Sequence, residues 1–217
     1  MAFLLSPSIL SADFGKLEEQ IEIINNSNAD LIHVDVMDGV FVPNISFGFT
    51  VLDSLVKYAK KPLDIHLMIV DPEKYIERFA RYHPEYLTIH LESCIHVHRA
   101  VSYIHSLGVK AGVALNPHST VNLLQEIVSE TDLVLIMSVN PGYGGQKFIE
   151  NSLQKIRKTH ELVLKSNSHA LIEVDGGINS DNIKQVVSSG ADIVVAGNAV
   201  FGSADIRKVI NELKNSI

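Results

Sequence analysis

The residues best suited to chemistry stand in two short segments, His33-Val-Asp35-Val-Met37 and Asp64-Ile-His66-Leu-Met68. Alternate side chains of a β-strand share a face. His33, Asp35 and Met37 therefore point one way, as do His66 and Met68. Two imidazoles and a carboxylate converging from neighbouring strands form ligands for a divalent cation. A third segment, Glu173-Val-Asp175-Gly176-Gly177, adds a carboxylate at a strand end, just before a flexible turn. A single strand histidine is more often a satisfied structural residue. Four candidates in equivalent strand-end places, His33, Asp35, His66 and Asp175, point instead to one bound divalent ion. Two nitrogen and two oxygen donors suit Zn²⁺, Fe²⁺, Mn²⁺ or Co²⁺ without selecting among them. His90 is placed inside the fold or at an interface. His83, His96, His98, His105, His118, His160 and His169 fall in loops or on helix surfaces.

These side chains need a scaffold that brings several strand ends together. Short β-branched runs at Leu4–Leu10, Leu31–Met37, Leu63–Met68, Tyr86–Leu91, Lys110–Leu115, Leu133–Val139, Ala170–Val174 and Ile193–Ala196 alternate with amphipathic stretches. The helical patterns cover Asp13–Asn26, Phe49–Ala59, Glu73–Tyr82, His96–Leu107, Val121–Val128, Ser152–Lys165, Ile183–Ser189 and Asp205–Asn215. In the first, Leu17, Ile21 and Ile24 form one stripe behind an Asp13 cap. Asp71-Pro72 predicts an N-cap followed by a proline in the first turn. Gly108 and Gly190 stand where helix C-terminal caps are expected. Strand and helix in alternation imply parallel strands and crossover helices. Repeated eight times, they predict a (β/α)8 barrel of the α/β class, a single domain over residues 1–217. An open doubly wound sheet is the competitor. Polar residues at strand ends all along the chain, Asp35, His66, Asn116, Ser138, Asp175 and Gly197, favour the barrel.

The loop Asn140-Pro-Gly142-Tyr143-Gly144-Gly145-Gln146 lacks the lysine of a P-loop. It is long, and its glycines let backbone N–H groups approach an anion closely. It is expected to clamp a phosphate and close over the site. Gly176-Gly177 and Gly197-Asn198 follow the last two strands, a common phosphate position on such a barrel, helped by a short helix N-terminus. Met37, Met68 and Met137 each close a strand and are expected to wall the metal region from water. Ser8 could donate to a sugar hydroxyl, and Ser6 or Ser11 could serve as local caps.

The bulk composition narrows the classes of function. The chain has 217 residues, 46% hydrophobic, and a formal charge of -7. No basic run exists, so nucleic acid is not an expected partner. The first residues lack the basic and apolar regions of a signal peptide. No stretch reaches the roughly 20 apolar residues of a membrane span. The single cysteine, Cys94, cannot pair internally, which fits a reducing cytoplasm.

Taken together, Pro7-Ser-Ile-Leu-Ser-Ala-Asp13, His33-Val-Asp-Val-Met-Asp-Gly39, His66-Leu-Met68, Asn140-Pro-Gly-Tyr-Gly-Gly-Gln146 and Val174-Asp-Gly-Gly-Ile178 resemble the ribulose-phosphate 3-epimerase family. The resemblance implies a metal-dependent isomerase of the pentose phosphate pathway. It would interconvert ribulose 5-phosphate and xylulose 5-phosphate through a metal-stabilised enediolate. It places the metal on His33, Asp35, His66 and Asp175, and the acid/base pair on Asp35 and Asp175. Substrate contacts fall on Ser8, His66, Gly142, Tyr143, Gly144, Gly145, Asp175, Gly176, Gly177, Gly197 and Asn198. Tyr143 stands where phenylalanine is frequent in the family, and Asn198 where serine is common. The resemblance also implies a cytoplasmic homo-oligomer acting on a small phosphosugar. The competing readings are a 3-epimerase of a ketohexose 6-phosphate, a phosphosugar aldolase or decarboxylase, and a non-catalytic phosphosugar-binding barrel. The lysines of the chain lie mostly in helices and loops, away from a Schiff-base position, and binding alone needs no acid/base pair.

Overall fold

The computed structural model describes residues 3–217. Eight parallel strands, β1 (Leu4–Pro7), β2 (Ile32–Met37), β3 (Leu63–Met68), β4 (Tyr86–His90), β5 (Lys110–Leu115), β6 (Leu133–Met137), β7 (Leu171–Asp175) and β8 (Ile193–Ala196), follow one another around a ring. The seam between β1 and β2 is closed by a parallel bridge between Ser8 and His33. The Asp30 and Leu31 amides also donate to the Leu5 carbonyl there, at 2.9 and 3.3 Å. The outer layer comprises α1 (Leu17–Asn25), α2 (Phe49–Tyr58), α3 (Ile76–Ala80), α4 (Val97–Ser106), α5 (Ser152–Lys165), α6 (Ile183–Ser188), α7 (Asn198–Phe201) and α8 (Ile206–Lys214). This is the (β/α)8 barrel that the alternation predicts. Closure leaves no unpaired sheet edge.

Period-two alternation explains both faces of the ring. Leu5, Val34, Ile65, Leu87, Val113, Ile136, Val174 and Val194 point outward into the helices and are all fully buried. Each such side chain contributes about 1.5–3 kcal/mol of hydrophobic stabilisation. The inward residues change character along the axis. At the bottom, Leu31, Tyr86, Leu133 and Ile193 form a small apolar cluster with Leu4 and Leu171. Above it the interior turns polar, with Ser6, His33, Asp64, Thr88 and Glu173 all buried. The strand C-termini then carry Asp35, His66, His90, Met137 and Asp175. The seam is locked from outside by α8. Lys214 donates to Asp30 and to the Phe3 carbonyl, each at 2.7 Å, while Asp30 accepts from the Leu5 amide.

Three local expectations change. The Val121–Val128 stretch forms two 3₁₀ turns, Val121–Leu124 and Val128–Glu130, rather than a helix. The backbone amides of Leu123, Gln125 and Ile127 donate to Thr120, Asn122 and Leu124, three residues back, and beyond the stretch the Thr131 and Ser168 hydroxyls both donate to the Val128 carbonyl. Asp71 does not cap: it adopts φ 48°, and its carboxylate takes Lys74 at 2.7 Å ahead of a 3₁₀ turn. The first helix likewise begins as a 3₁₀ turn, with Asp13 accepting from the Gly15 amide, and becomes α-helical only at Leu17. Gly108 and Gly190, with φ of 76° and 111°, do follow α4 and α6 as expected.

Gly112 in β5 shows how tightly the interior is filled. A Cβ there would lie 2.1 Å from Thr88 Oγ1 and 2.9 Å from Thr88 Cβ. Thr88 is fully buried and stiff at χ1, so it cannot swing aside. Gly112→Ala is therefore expected to lower unfolding free energy by about 1–3 kcal/mol. Thr88→Ala in the same chain should recover part of that loss. Urea melts of both single variants and the double variant test this. Strictly additive losses would show that the two sites are not in steric conflict.

Candidate active site

The site is built where β2, β3 and β7 end. Asp35 pairs in register with His66 across the β2–β3 ladder, so strand geometry alone brings a carboxylate beside an imidazole. His33 stands two residues earlier on the same face. Its Nε2 lies 3.2 Å from Asp35 Oδ1, and His66 Nδ1 lies 3.0 Å from the same oxygen. Asp175 enters from β7. One ligand atom from each of His33, Asp35, His66 and Asp175 lies within 4.8 Å of all the others. The strand-end reading thus brings its proposed ligands together. The donor set is two imidazole nitrogens and two carboxylate oxygens, suited to borderline divalent cations. The far nitrogens of both rings are also held. His33 Nδ1 is 2.6 Å from Asp64 Oδ2 and His66 Nε2 is 2.9 Å from His90 Nε2. Such outer partners are typical of metal-binding histidines. These residues fit a divalent ion.

Burial makes the electrostatics severe. His33 and His66 are fully enclosed and Asp35 is 2% exposed. Burial alone would weaken the basicity of His33, but the Asp35 and Asp64 carboxylates outweigh it and hold its pKa well above the ordinary value. Burial likewise opposes ionisation of Asp35. The charge of His33 and its hydrogen bond override it, with His66 close by, and hold the carboxyl below the usual carboxylate range. His66 is lowered to about 4, chiefly by burial, with the neighbouring Asp35 acting the other way. Asp175, partly exposed at the pocket, is pushed up to about 7 by burial and then by the charge of Asp35. Deeper in the barrel, burial and the neighbouring Asp64 raise Glu173 well above the ordinary carboxyl value.

Above the cluster lies a pocket of about 220 Å³. Ser8, Gly142, Tyr143, Gly144, Gly145, Asp175, Gly176, Gly177, Gly197 and Asn198 all line it. His66 does not: it sits beneath, enclosed beside Asp35. Ser8 Oγ donates to Asp35 Oδ2 at 2.5 Å and accepts from the Leu10 amide at 3.3 Å. Its proton is thus directed at the carboxylate. Met37, Met68 and Met137 border the pocket as an apolar wall. The glycine loop lies folded over it. The Gly142 carbonyl accepts from Asn44 at 2.8 Å, and Gln146 donates to the Asn140 and Tyr143 carbonyls. Positions where a Cβ on Gly144 or Gly197 would sit lie 3.0 and 2.8 Å from the same Ser11 Oγ. The loops after β6 and β8 therefore converge with Ser11 into a narrow cradle.

Sequence reasoning missed part of this assembly. Ser11 lines the pocket and is no mere cap, although it stands in the Pro7–Asp13 segment. Asp64 shares the face of His66 by simple alternation, which could have marked it. Glu173 could have been found in the same way from Asp175. Glu92 carries no comparable pattern. It lies in a 3₁₀ turn after β4, and its carboxylate accepts from the Asn116 amide and the Ser119 hydroxyl. The remaining histidines, from His83 to His169 and apart from His90, lie outside the barrel interior, as expected.

Known proteins share both the sequence and the fold. Residues 4–201 match the Ribulose-phosphate 3 epimerase family. A ribulose-phosphate 3-epimerase of Bacillus subtilis (strain 168) is 46% identical over 213 residues, 98% of each chain. The chloroplastic ribulose-5-phosphate-3-epimerase of Arabidopsis thaliana is also 46% identical, over 98% of this chain and 76% of its own. Among solved structures, KGPDC from Streptococcus mutans superposes with a TM-score of 0.75 at 15% identity, covering 100% of this chain and 97% of that one. A 3-hexulose-6-phosphate synthase does so with a TM-score of 0.71 at 18% identity, covering both chains fully. At such identities these structures speak for the barrel alone. The sequence relatives and the family match go further, and with them the chain belongs to the ribulose-phosphate 3-epimerase family.

Proposed function

We propose that this chain interconverts D-ribulose 5-phosphate and D-xylulose 5-phosphate, removing the proton at C3 and returning one to the opposite face. The observation that carries this reading, beyond family membership, is the pair Asp35 and Asp175. Their oxygens lie within one cluster, and both side chains line the same pocket. Two carboxyl groups that reach one substrate can divide acid and base work between them. Asp35 comes from β2 and Asp175 from β7, strands separated in the ring by β1 and β8. They approach the pocket from different directions, so one can take the proton while the other stands ready to give one. A single carboxylate would have to swing across the ring to achieve the same inversion.

A divalent ion on His33, Asp35, His66 and Asp175 would supply Lewis-acid stabilisation of the negative charge that develops as the C3 proton leaves. Zn²⁺, Fe²⁺, Mn²⁺ and Co²⁺ all suit these donors. In this reading Ser8 orients Asp35, and the three pocket methionines keep water from the reacting carbon. The backbone amides of Gly176, Gly177, Gly197 and Asn198 hold the phosphate, and Gly142 to Gly145 close over it with Tyr143. The reading extends to one barrel domain over residues 1–217, working in the cytoplasm as a homo-oligomer. None of the helices among the described residues is long and apolar enough to cross a membrane.

Elemental analysis of protein purified without chelator should find about one equivalent of Zn, Fe, Mn or Co per chain. Stripping that metal should abolish turnover of ribulose 5-phosphate, and adding it back should restore activity. Full activity in demonstrably metal-free protein would defeat the proposal.

Asp35→Asn and Asp175→Asn should each slow epimerisation by roughly 10²–10⁴-fold, with metal content measured on each variant to separate lost catalysis from lost metal. In deuterated water the wild type should place solvent deuterium at C3 of the product. Complete retention of the original hydrogen over many turnovers would exclude two exchanging carboxylates.

For the phosphate, Gly197→Val is the informative substitution. Gly197 has φ −94°, and its nearest obstacle is the end of the Ser11 side chain, so the fold should tolerate a side chain there. Gly177 is less useful, because a Cβ would strike the Phe148 backbone nitrogen at 2.6 Å. Gly197→Val should weaken binding of the phosphorylated sugar tenfold or more, about 1.4 kcal/mol. Unchanged affinity in a folded variant would place the phosphate elsewhere.

A further inference from the structure

From His66 a line of hydrogen bonds runs away from the pocket and ends on a carboxylate. His66 Nε2 faces His90 Nε2 at 2.9 Å, and His90 Nδ1 faces Glu92 Oε2 at 3.1 Å. Both rings are fully buried. Phe41 packs against His90, the rings tilted by 48° with centroids 4.7 Å apart.

The proton positions along this line follow from one end. The Oε1 atom of Glu92 accepts from the Asn116 amide at 2.8 Å and from the Ser119 hydroxyl. The segment that supplies these donors is itself pinned, since Lys155 donates to the Asn116 and Pro117 carbonyls at 2.7 and 2.8 Å. An ionised carboxylate only accepts. The His90 nitrogen facing it, Nδ1, must therefore carry a proton. A neutral imidazole has one donor nitrogen and one acceptor nitrogen, so His90 Nε2 is bare. Two nitrogens 2.9 Å apart need one proton between them, and it must then sit on His66 Nε2. That leaves His66 Nδ1 bare, with its lone pair toward Asp35 Oδ1 at 3.0 Å. A lone pair facing a carboxylate oxygen is repulsive, and a cation bound to both turns the contact into attraction. The opposite set of tautomers would point a bare His90 nitrogen at the Glu92 carboxylate and an N–H at the proposed metal.

We infer that Glu92 and His90 are positioning residues for the proposed metal site: Glu92 sets the tautomer of His90, and His90 sets that of His66, so that the Nδ1 lone pair of His66 is presented to the cation. Neither residue lines the pocket. The inference rests on the reading of His66 as a ligand, and it assigns work to a buried His–His–Glu line that the proton transfers at C3 do not use.

The test is long-range ¹⁵N–¹H spectroscopy of the histidine rings in the zinc-loaded full-length protein, with signals assigned through His90→Phe. Zinc is the probe because it is diamagnetic. The wild type should show His90 protonated on Nδ1, and His66 protonated on Nε2 with Nδ1 shifted by metal. Glu92→Gln has one acceptor oxygen to share among three donors. It should therefore move the His90 proton toward Nε2, and zinc affinity, measured by chelator competition, should fall tenfold or more. His90→Phe should weaken zinc by a similar factor while the metal-free variant keeps a cooperative thermal transition. Zinc-loaded wild type with His90 protonated on Nε2 would overturn the inference. So would unchanged zinc affinity in both folded variants. Wild-type protein that takes up no zinc would instead defeat the metal reading itself, a separate result from bound zinc with the opposite tautomers.

Discussion

One imidazole between two carboxylates governs the centre of this barrel. His33 reaches Asp64 through one ring nitrogen at 2.6 Å and Asp35 through the other at 3.2 Å. All three groups are buried, and a buried charge without a partner costs several kcal/mol. Asp35 and Asp64 are both held below the usual carboxylate range by His33, against burial, while His33 is held basic by them. One cation cannot balance every acid nearby. The surplus appears at the margins, where burial and neighbouring negative charge favour the protonated forms of Glu173 and Asp175. The interior thus carries more acid than its own cations offset. A dication among His33, Asp35, His66 and Asp175 would relieve that excess, and its arrival would release protons.

Such a cluster survives because the rest of the ring is unforgiving. The strands are fixed in register, the outward faces are packed to the helices, and the floor beneath the polar layer is sealed by Tyr86, Leu133 and Ile193. Glycine is needed at position 112 because Thr88 already fills the space above it. Rigid strands hold the groups that must keep sub-ångström relations, His33, Asp35, His66 and Asp175. The pocket rim is left to loops. Division of this kind lets a binding loop move without disturbing the charge balance below it.

How much of this could be read from sequence depends on whether a residue's neighbours are set by local periodicity. The strands Leu63–Met68 and Lys110–Leu115 and the helix Ser152–Lys165 are found with the expected bounds, because alternation or a 3.6-residue stripe defines them. The proposed ligands were legible for the same reason: alternation puts His33 on the face of Asp35 one layer below it, and a closed ring brings the C-terminal halves carrying Asp35, His66 and Asp175 together. The Val121–Val128 stretch departs from the 3.6-residue pattern because its backbone hydrogen bonds run to the third residue back, Leu123 to Thr120, Gln125 to Asn122 and Ile127 to Leu124. Ser11 was passed over because its meeting with Gly144 and Gly197 is purely tertiary. Glu92 was invisible since two of its partners, Asn116 and Ser119, come from beyond the next strand, β5.

The line from Glu92 to His66 also explains why β4 and β5 take part in the site without touching the pocket. Metal chemistry needs bare nitrogens, yet burial of histidine among acids favours protonated ones, as His33 shows. His66 escapes that fate because burial outweighs the one carboxylate beside it, its back nitrogen meeting another imidazole. Inserting His90 between His66 and Glu92 keeps the acid one ring further away. The acid still fixes proton positions through directional bonds, while burial holds His66 at about 4. The two candidate histidine ligands therefore have opposite second partners. His33, with a carboxylate directly behind it, can carry positive charge in the protein alone. His66, with a neutral ring behind it, holds its lone pair ready.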